Sequence, residues 1–323
     1  MKLYLAPLEG LTGYIYRNAY HAYFGQVDKY FAPFIIAGQK DEFKARDLND
    51  ILPEHNKDIY LVPQLLTNQA QDFIFTSKKL QQFGYREINL NLGCPSGTVV
   101  SKNQGSGFLA RTEELDRFLY EIFEASVTEI SVKTRIGKDS PEEFYELIKI
   151  FNKYPIKELI IHPRIQKDYY KNQPNLNIFQ ESLPMSKNPV GYNGDIFSTK
   201  DFNVFQSRFP EVSTVMLGRG ILKNPNLSGD IRSSLQFGSN EKTAFSDADR
   251  MQQKIKLKKF HDQIYNEYKQ VLSGDKNVLY KMKELWSYLI ESFEDSTRYA
   301  KKIKKAERCF EYDEAVSGLF REC

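Results

Sequence analysis

Glu87-Ile88-Asn89-Leu90-Asn91-Leu92-Gly93-Cys94-Pro95 is the stretch from which the fold is read. Apolar and polar residues alternate up to Leu92, and Gly-Cys-Pro then breaks the alternation. Alternation at period two predicts a strand, and Gly with Pro predicts its end. A strand over Glu87–Leu92 therefore delivers one thiol, Cys94, to the turn at its C-terminal end. In a closed barrel of alternating strands and helices, that end carries the chemistry.

Working outward, seven further short apolar segments predict strands: Leu3–Ala6, Tyr30–Ile35, Tyr60–Gln64, Glu129–Lys133, Glu158–His162, Val190–Asn193 and Ser213–Leu217. Amphipathic stretches separate them, among them Gln69–Phe83, Thr112–Ser126, Pro141–Tyr154 and Thr199–Phe209. Thr112 before Glu113 and Glu114, and Ser140-Pro141-Glu142-Glu143, read as helix starts. Strand-helix alternation implies a parallel sheet. Eight strands imply an α/β (β/α)8 TIM barrel, with an open doubly wound sheet as the alternative.

After Asn224-Pro225 the pattern changes. Residues 226–246 are polar and rich in Gly, Ser and Asn, including Gly238-Ser239-Asn240. Beyond them the chain reads as helices, with lysines on one face and Ile255, Leu257, Phe260, Ile264, Tyr265 and Tyr268 on the other. The expected division is a barrel over 1–235 and a small all-helical domain over 236–323. The net charge of +3 is concentrated in the last quarter, at Lys254, Lys256, Lys258 and Lys259 and at Arg298, Lys301, Lys302, Lys304 and Lys305. A basic tail on a neutral body suggests a polyanionic partner. Interleaved acids also allow plain solvated helix faces.

Three cysteines with wide spacing, Cys94, Cys309 and Cys323, argue against a disulfide framework or a zinc site. A reducing cytoplasm is the expected location. The chain enters its first strand at once, so no signal peptide is expected, and no apolar run reaches the roughly 20 residues of a membrane helix. No internal repeat stands out.

The strand ends carry residues that a packed core does not select. They are Ala6-Pro7-Leu8-Glu9-Gly10, Gln64, Asn89 with Asn91 and Cys94, Lys133-Thr134-Arg135, His162-Pro163-Arg164, Asn193-Gly194-Asp195 and Gly218-Arg219-Gly220. Gly-Arg-Gly and Asn-Gly-Asp follow the last two strands, where barrels commonly hold a phosphate. Gln64 and Asn91 can hydrogen-bond a planar heterocycle. Lys133 can stabilise negative charge on a ring as it is reduced. Flavin mononucleotide, FMN, matches this set. Gly105-Ser106-Gly107 lacks the third glycine of a dinucleotide fingerprint and is not read as one.

Cys94 admits three readings. As general acid it protonates a carbon next to one that receives hydride, since an unperturbed thiol is protonated at neutral pH. As nucleophile it needs a base, and His162 is the candidate. As a small buried hydrophobe it is inert.

These motifs resemble the tRNA-dihydrouridine synthase family. The resemblance runs through nearly the whole barrel: Ala6 to Thr12, Gln64, Asn89 to Pro95, Lys102 with Gly105 and Gly107, Val132 to Arg135, His162 with Arg164, Gly191 to Asp195, and Val215 to Arg219. The helical tail resembles the family's RNA-binding domain more weakly. The resemblance implies an FMN-dependent oxidoreductase acting on a CH–CH group. It reduces the C5=C6 bond of a uridine in tRNA with NADPH, and Cys94 protonates C5. It implies Pro7, Leu8, Glu9, Gln64, Lys133, His162, Asn193, Gly194, Asp195, Gly218 and Arg219 as FMN contacts. Asn91, Lys102 and Arg164 are implied on the substrate side, and no membrane or protein partner is implied, with a monomer expected. Two departures stand out. His162-Pro163-Arg164-Ile165-Gln166 lacks the family's second arginine, and Asp168 stands at a glutamine position; Gly13 replaces an aspartate, which reads as a helix-cap difference. Two other functions remain open: an FMN barrel reductase for a small molecule, and a non-catalytic RNA-binding barrel.

Overall fold

The computed structural model describes residues 1–40, 42–237 and 247–322. Its strands are β1 (Lys2–Leu5), β2 (Lys29–Phe31), β3 (Ile35–Ile36), β4 (Leu61–Val62), β5 (Gln64–Leu66), β6 (Glu87–Leu92), β7 (Glu129–Gly137), β8 (Leu159–Ile165), β9 (Val190–Tyr192) and β10 (Thr214–Leu217). All pair in parallel. β1 pairs with both β10 and β2, so first and last strands are neighbours. β2 pairs with β4, and β3 pairs with β5.

Those last pairings make the ten segments eight strands. Pro33 separates β2 from β3, and Pro63 separates β4 from β5. Proline has no N–H for the ladder, so each strand is interrupted and then resumes against the same neighbour. The ring closes through these two broken strands, which decides for the (β/α)8 barrel over the open sheet. All eight predicted strands are present.

Two boundaries are corrected. β7 and β8 run on to Gly137 and Ile165, so Lys133 and His162 lie within strands and not at their ends. The pairing shifts register between Arg135 and Gly137, opposite Pro163, where a ladder donor is missing. Thr112 is the first helical residue, and no side chain caps that helix, Thr112–Ala125. Ser140 and Glu143 do form the expected capping box.

In-register parallel neighbours share a face. Tyr4 lies beside Met216, Phe31 beside Val62, and these cluster with Ala6 and Ile160 in one buried core. Lys133 is in register with Ile160 and Asn91, and Asn89 with Gln64 and Ser131. The barrel interior thus carries an apolar layer and, nearer the C-terminal strand ends, a polar one.

Backbone packing divides the chain into two units. The first comprises Met1–Pro7, Val27–Asp195 and Phe205–Leu217; the second comprises Leu8–Gln26, Ile196–Val204 and the chain from Gly218 onward. Within the second unit, Phe260 meets Tyr16 and Phe24 edge-on at 5.6 and 5.3 Å. The helix Tyr14–Tyr23 therefore packs with the long helix Asp247–Val271. Gly13 is the N-cap of the former and supplies no side-chain cap. Buried His261 bonds Tyr312, which accepts from Trp286 Nε1 at 2.7 Å. Asp262 Oδ1 lies 2.9 Å from His261 Nδ1, which places a proton on Nδ1, and burial pushes the imidazole's proton affinity down, so Nε2 is left to accept from the Tyr312 hydroxyl. Residues 227–237 form a helix where a polar linker is expected, and Ile255 is half exposed instead of buried. Residues 238–246, including Gly238-Ser239-Asn240, and Cys323 lie outside the described residues.

Candidate active site

A chain of amide side chains crosses the polar layer. Asn91 Oδ1 accepts from the backbone N–H groups of Gly93 and Cys94 at 3.0 and 2.9 Å. Those two donors fix which way the Asn91 amide points. Its Nδ2 then donates to Gln64 Oε1 at 2.7 Å, Gln64 Nε2 to Asn89 Oδ1 at 2.7 Å, and Asn89 Nδ2 to Ser131 Oγ at 2.9 Å. The whole chain therefore takes its direction from the Cys94 turn. Gln64 and Asn89 have no exposed surface, so every bond they make is formed away from water. Gln64 retains one N–H and one lone pair beyond these bonds.

The turn itself receives six hydrogen bonds: the two above, and four at its carbonyls. Arg135 Nε donates to Gly93 O at 3.0 Å, Ser106 N and Oγ to Cys94 O at 3.1 and 2.8 Å, and Gln166 Nε2 to Pro95 O at 3.1 Å. Cys94 is half-buried and forms no disulfide. Gly105 has a positive φ of +55, and a Cβ there would stand 2.8 Å from Cys94 O. Only glycine lets Ser106 approach this closely.

Lys133, beside Asn91, is half-buried. Burial first, and then the Arg135 guanidinium, push its ammonium down to about 7, while Cys94 acts in the opposite direction. Among the described residues it has no ion-pair partner.

His162 and Arg164 are arranged differently from the expectation. Arg164 is buried, with Nη1 and Nη2 on Asp195 at 3.1 and 2.5 Å, Nε on Asn172 O at 2.6 Å, and Nη1 also 2.9 Å from His162 Nε2. Arginine only donates, so His162 Nε2 accepts and the ring is neutral, with its proton on Nδ1. That nitrogen is not available as a base for Cys94. Asp195 is tied to Arg164, and Asn193 Nδ2 donates to Met216 O at 2.8 Å. Gly194 packs against the Tyr192 ring with no room for a Cβ. Lys102 is exposed, and its carbonyl accepts from Asn68.

Leu8, Glu9, Gly218 and Arg219 belong to the second unit, and Pro7 ends the first stretch of the first. Leu8 N donates to Thr12 Oγ1, so this amide is engaged within its own turn. Gly218 leads into the short helix Arg219–Lys223, and the Arg219 guanidinium lies 5.4 Å from the Phe197 ring centre. Ser106, Ser131 and Gln166 are residues that sequence reasoning gave no part in this site, and Arg135 was noted at a strand end without a role. The signal for Ser131 was its place two residues before Lys133, on the same strand face. Ser106 was hidden between two glycines set aside as an incomplete nucleotide motif.

The dihydrouridine synthase (Dus) family matches residues 4–318. The chain belongs to this family. A probable tRNA-dihydrouridine synthase of Staphylococcus aureus (strain Mu50) is 28% identical over 171 residues, 51% of this chain and 51% of that one. The tRNA-dihydrouridine(16) synthase of Pasteurella multocida is 32% identical over 51% of this chain and 54% of its own. The chain thus spans about half the length of these curated relatives. Among solved structures, histamine dehydrogenase from Rhizobium sp. 4-9 aligns with a TM-score of 0.56 at 11% identity, covering 72% of this chain and 46% of that one. That likeness concerns the barrel fold alone. Among the described residues, no helix is long and apolar enough to cross a membrane.

Proposed function

We propose that this chain is a tRNA-dihydrouridine synthase, an FMN-dependent oxidoreductase that reduces the C5=C6 bond of a tRNA uridine, with NADPH as reductant and Cys94 as proton donor. The observation that carries the reading is the Cys94 turn. Six hydrogen bonds hold the backbone of the turn that carries this half-buried thiol, on the C-terminal side of a parallel barrel and next to a strand that carries Lys133. Family membership and the names of the relatives support the substrate.

The donor set fits a flavin. Gln64 has one donor and one acceptor left for a ring edge, and Lys133 is a cation that burial makes ready to take or give up a proton. Lys133, Gln64, His162 and Asn193 would hold the ring and ribityl chain, and Gly218 and Arg219 keep their proposed role on the phosphate. Pro7, Leu8, Glu9, Gly194 and Asp195 remain proposed contacts. FMN, when bound and reduced, supplies hydride for C6. Lys133 would supply positive charge to such a ring. Asn91 holds the backbone of Cys94, so the thiol meets C5 from a fixed position. Cys94 gives its proton to C5 and regains one from solvent, to which it is half open. The target uridine must leave its stack to reach the thiol. Exposed Lys102 and buried Arg164 are proposed on the substrate side, together with Asn91.

Helix Thr297–Lys305 buries Tyr299 and Ile303 and exposes Lys301, Lys302, Lys304 and Lys305. Such a face suits phosphates, and we assign the stretch 236–323 to tRNA binding. A cytoplasmic monomer is the form proposed. The test is direct. FMN-loaded protein, NADPH and an unmodified tRNA transcript are incubated, and dihydrouridine is mapped by mass spectrometry. One mapped uridine position is expected; FMN-loaded protein that oxidises NADPH but leaves every uridine intact refutes the reading.

A further inference from the structure

Arg135 does more than touch the Cys94 turn. Its guanidinium, 1% exposed, spans three carbonyls: Gly93 O at 3.0 Å, Ile165 O at 2.8 Å and Tyr169 O at 2.8 Å. It therefore ties the turn to the segment that follows β8. Gln166 lies inside that segment, between the two carbonyls that Arg135 holds. It is 7% exposed, and its Nε2 donates to Pro95 O at 3.1 Å. Pro95 has no N–H, so this carbonyl is its one backbone hydrogen-bonding group. Cys94 is thus gripped on both sides, at Gly93 O by Arg135 and at Pro95 O by Gln166. Asp168 closes the gripping segment on itself, with Oδ2 accepting from Ile165 N at 3.0 Å and Oδ1 from Asn172 Nδ2 at 2.5 Å.

We propose that Gln166 is a positioning residue whose amide, donated to Pro95 O, holds the Cys94 turn against the segment after β8 and so sets the place of the thiol. Asn91, Arg135 and Ser106 hold the turn at Gly93 and Cys94. The Gln166 bond holds it at its far end, Pro95. The effect on turnover rests on the reading of Cys94 as proton donor; the grip on the turn does not.

The experiment compares wild type, Gln166→Met and Gln166→Glu by site-resolved amide hydrogen exchange. Methionine keeps the volume and loses the donor. In Gln166→Met the Gly93, Cys94 and Ser106 amides are expected to exchange about tenfold faster, the size of one lost buried hydrogen bond, with exchange elsewhere unchanged. Gln166→Glu supplies a conditional rescue. Its protonated acid donates to Pro95 O and its carboxylate cannot, so protection, corrected for intrinsic exchange, is expected at low pH and lost as the introduced acid ionises. Equal protection in wild type and Gln166→Met overturns the proposal, as does a Gln166→Glu profile flat with pH. In the FMN-loaded protein, kcat on tRNA is expected to fall about tenfold in Gln166→Met at unchanged FMN affinity. Faster exchange with unchanged kcat removes the positioning role. A wild type that makes no dihydrouridine refutes the proposed function and leaves the exchange result standing.

Discussion

The two ends of the barrel strands bury polar groups in opposite ways. At the N-terminal ends, charges meet charges. Lys29 Nζ lies 2.8 Å from Glu87 and 4.0 Å from Glu158, and Lys157 Nζ lies 3.3 Å from Glu87 and also pairs with Glu129. Tyr4 and Thr214 donate to Glu158 Oε1 at 3.2 and 2.9 Å. At the C-terminal ends, neutral amides line up and converge on a turn, and the cation among them, Lys133, has no ion-pair partner among the described residues. The first arrangement gives each cation carboxylate partners and holds strands together. The second keeps an uncompensated cation near a thiol that solvent can reach, which is what a site needs and a foundation does not.

The sharpest way to break this contrast is Cys94→Ala. Turnover of tRNA uridine is expected to fall about a thousandfold, the range of a lost general acid, with FMN affinity and thermal midpoint unchanged. Single-turnover kinetics read it, and turnover at the wild-type rate moves the proton donor elsewhere. Next comes the opposite end. Glu87→Ala strands Lys29 and weakens Lys157, and is expected to cost about 3 kcal/mol of unfolding free energy in a urea titration. FMN affinity of the folded protein should not move; if it does, the two ends are not separate in function.

Lys133 sharpens the contrast through pH. Its folded-state value lies at about 7, against an ordinary 10.5. Between those values the unfolded chain holds a proton that the folded chain lacks, so its contribution to stability rises with pH across that window. FMN binding has the opposite sign. A ring that prefers the ammonium loses affinity above pH 7, by up to about tenfold per pH unit. Fluorescence titration should show that fall in the wild type and a flat profile in Lys133→Met; parallel profiles exclude the cation role. The smallest effect is expected for Thr214→Val, which removes one of the hydrogen bonds to Glu158 at a cost of about 1 kcal/mol. Its thermal melt should shift while FMN binding stays.

Much of the barrel was legible because each strand announces itself locally. The alternation at Glu87–Leu92 and the short apolar runs of the other strands need no distant partner to be read. The prolines at 33 and 63 were visible, but the interruptions they cause were not expected. A missing N–H matters only once a neighbour's carbonyl is in place. The length of β7 and β8 was missed for the same reason: Arg135 and His162 read as polar strand ends, and only their mutual pairing keeps them in the sheet. The first helix, Tyr14–Tyr23, gave no sign that its aromatic face packs on Phe260, more than two hundred residues away in the chain.

At the site, the amino-acid sequence by itself determined that a thiol stands at a Gly-Cys-Pro turn after a strand, with amides and a lysine on neighbouring strands. These are properties of residue type and short-range pattern. The tertiary structure alone decided what those groups do to one another. The direction of the Asn91, Gln64 and Asn89 amides, the neutral tautomer of His162, and the reach of Ser106 and Gln166 to the turn each depend on atoms brought together from separate stretches. So does the lowered proton affinity of Lys133, because desolvation and the field of Arg135 belong to a place in space and not to a position in the chain.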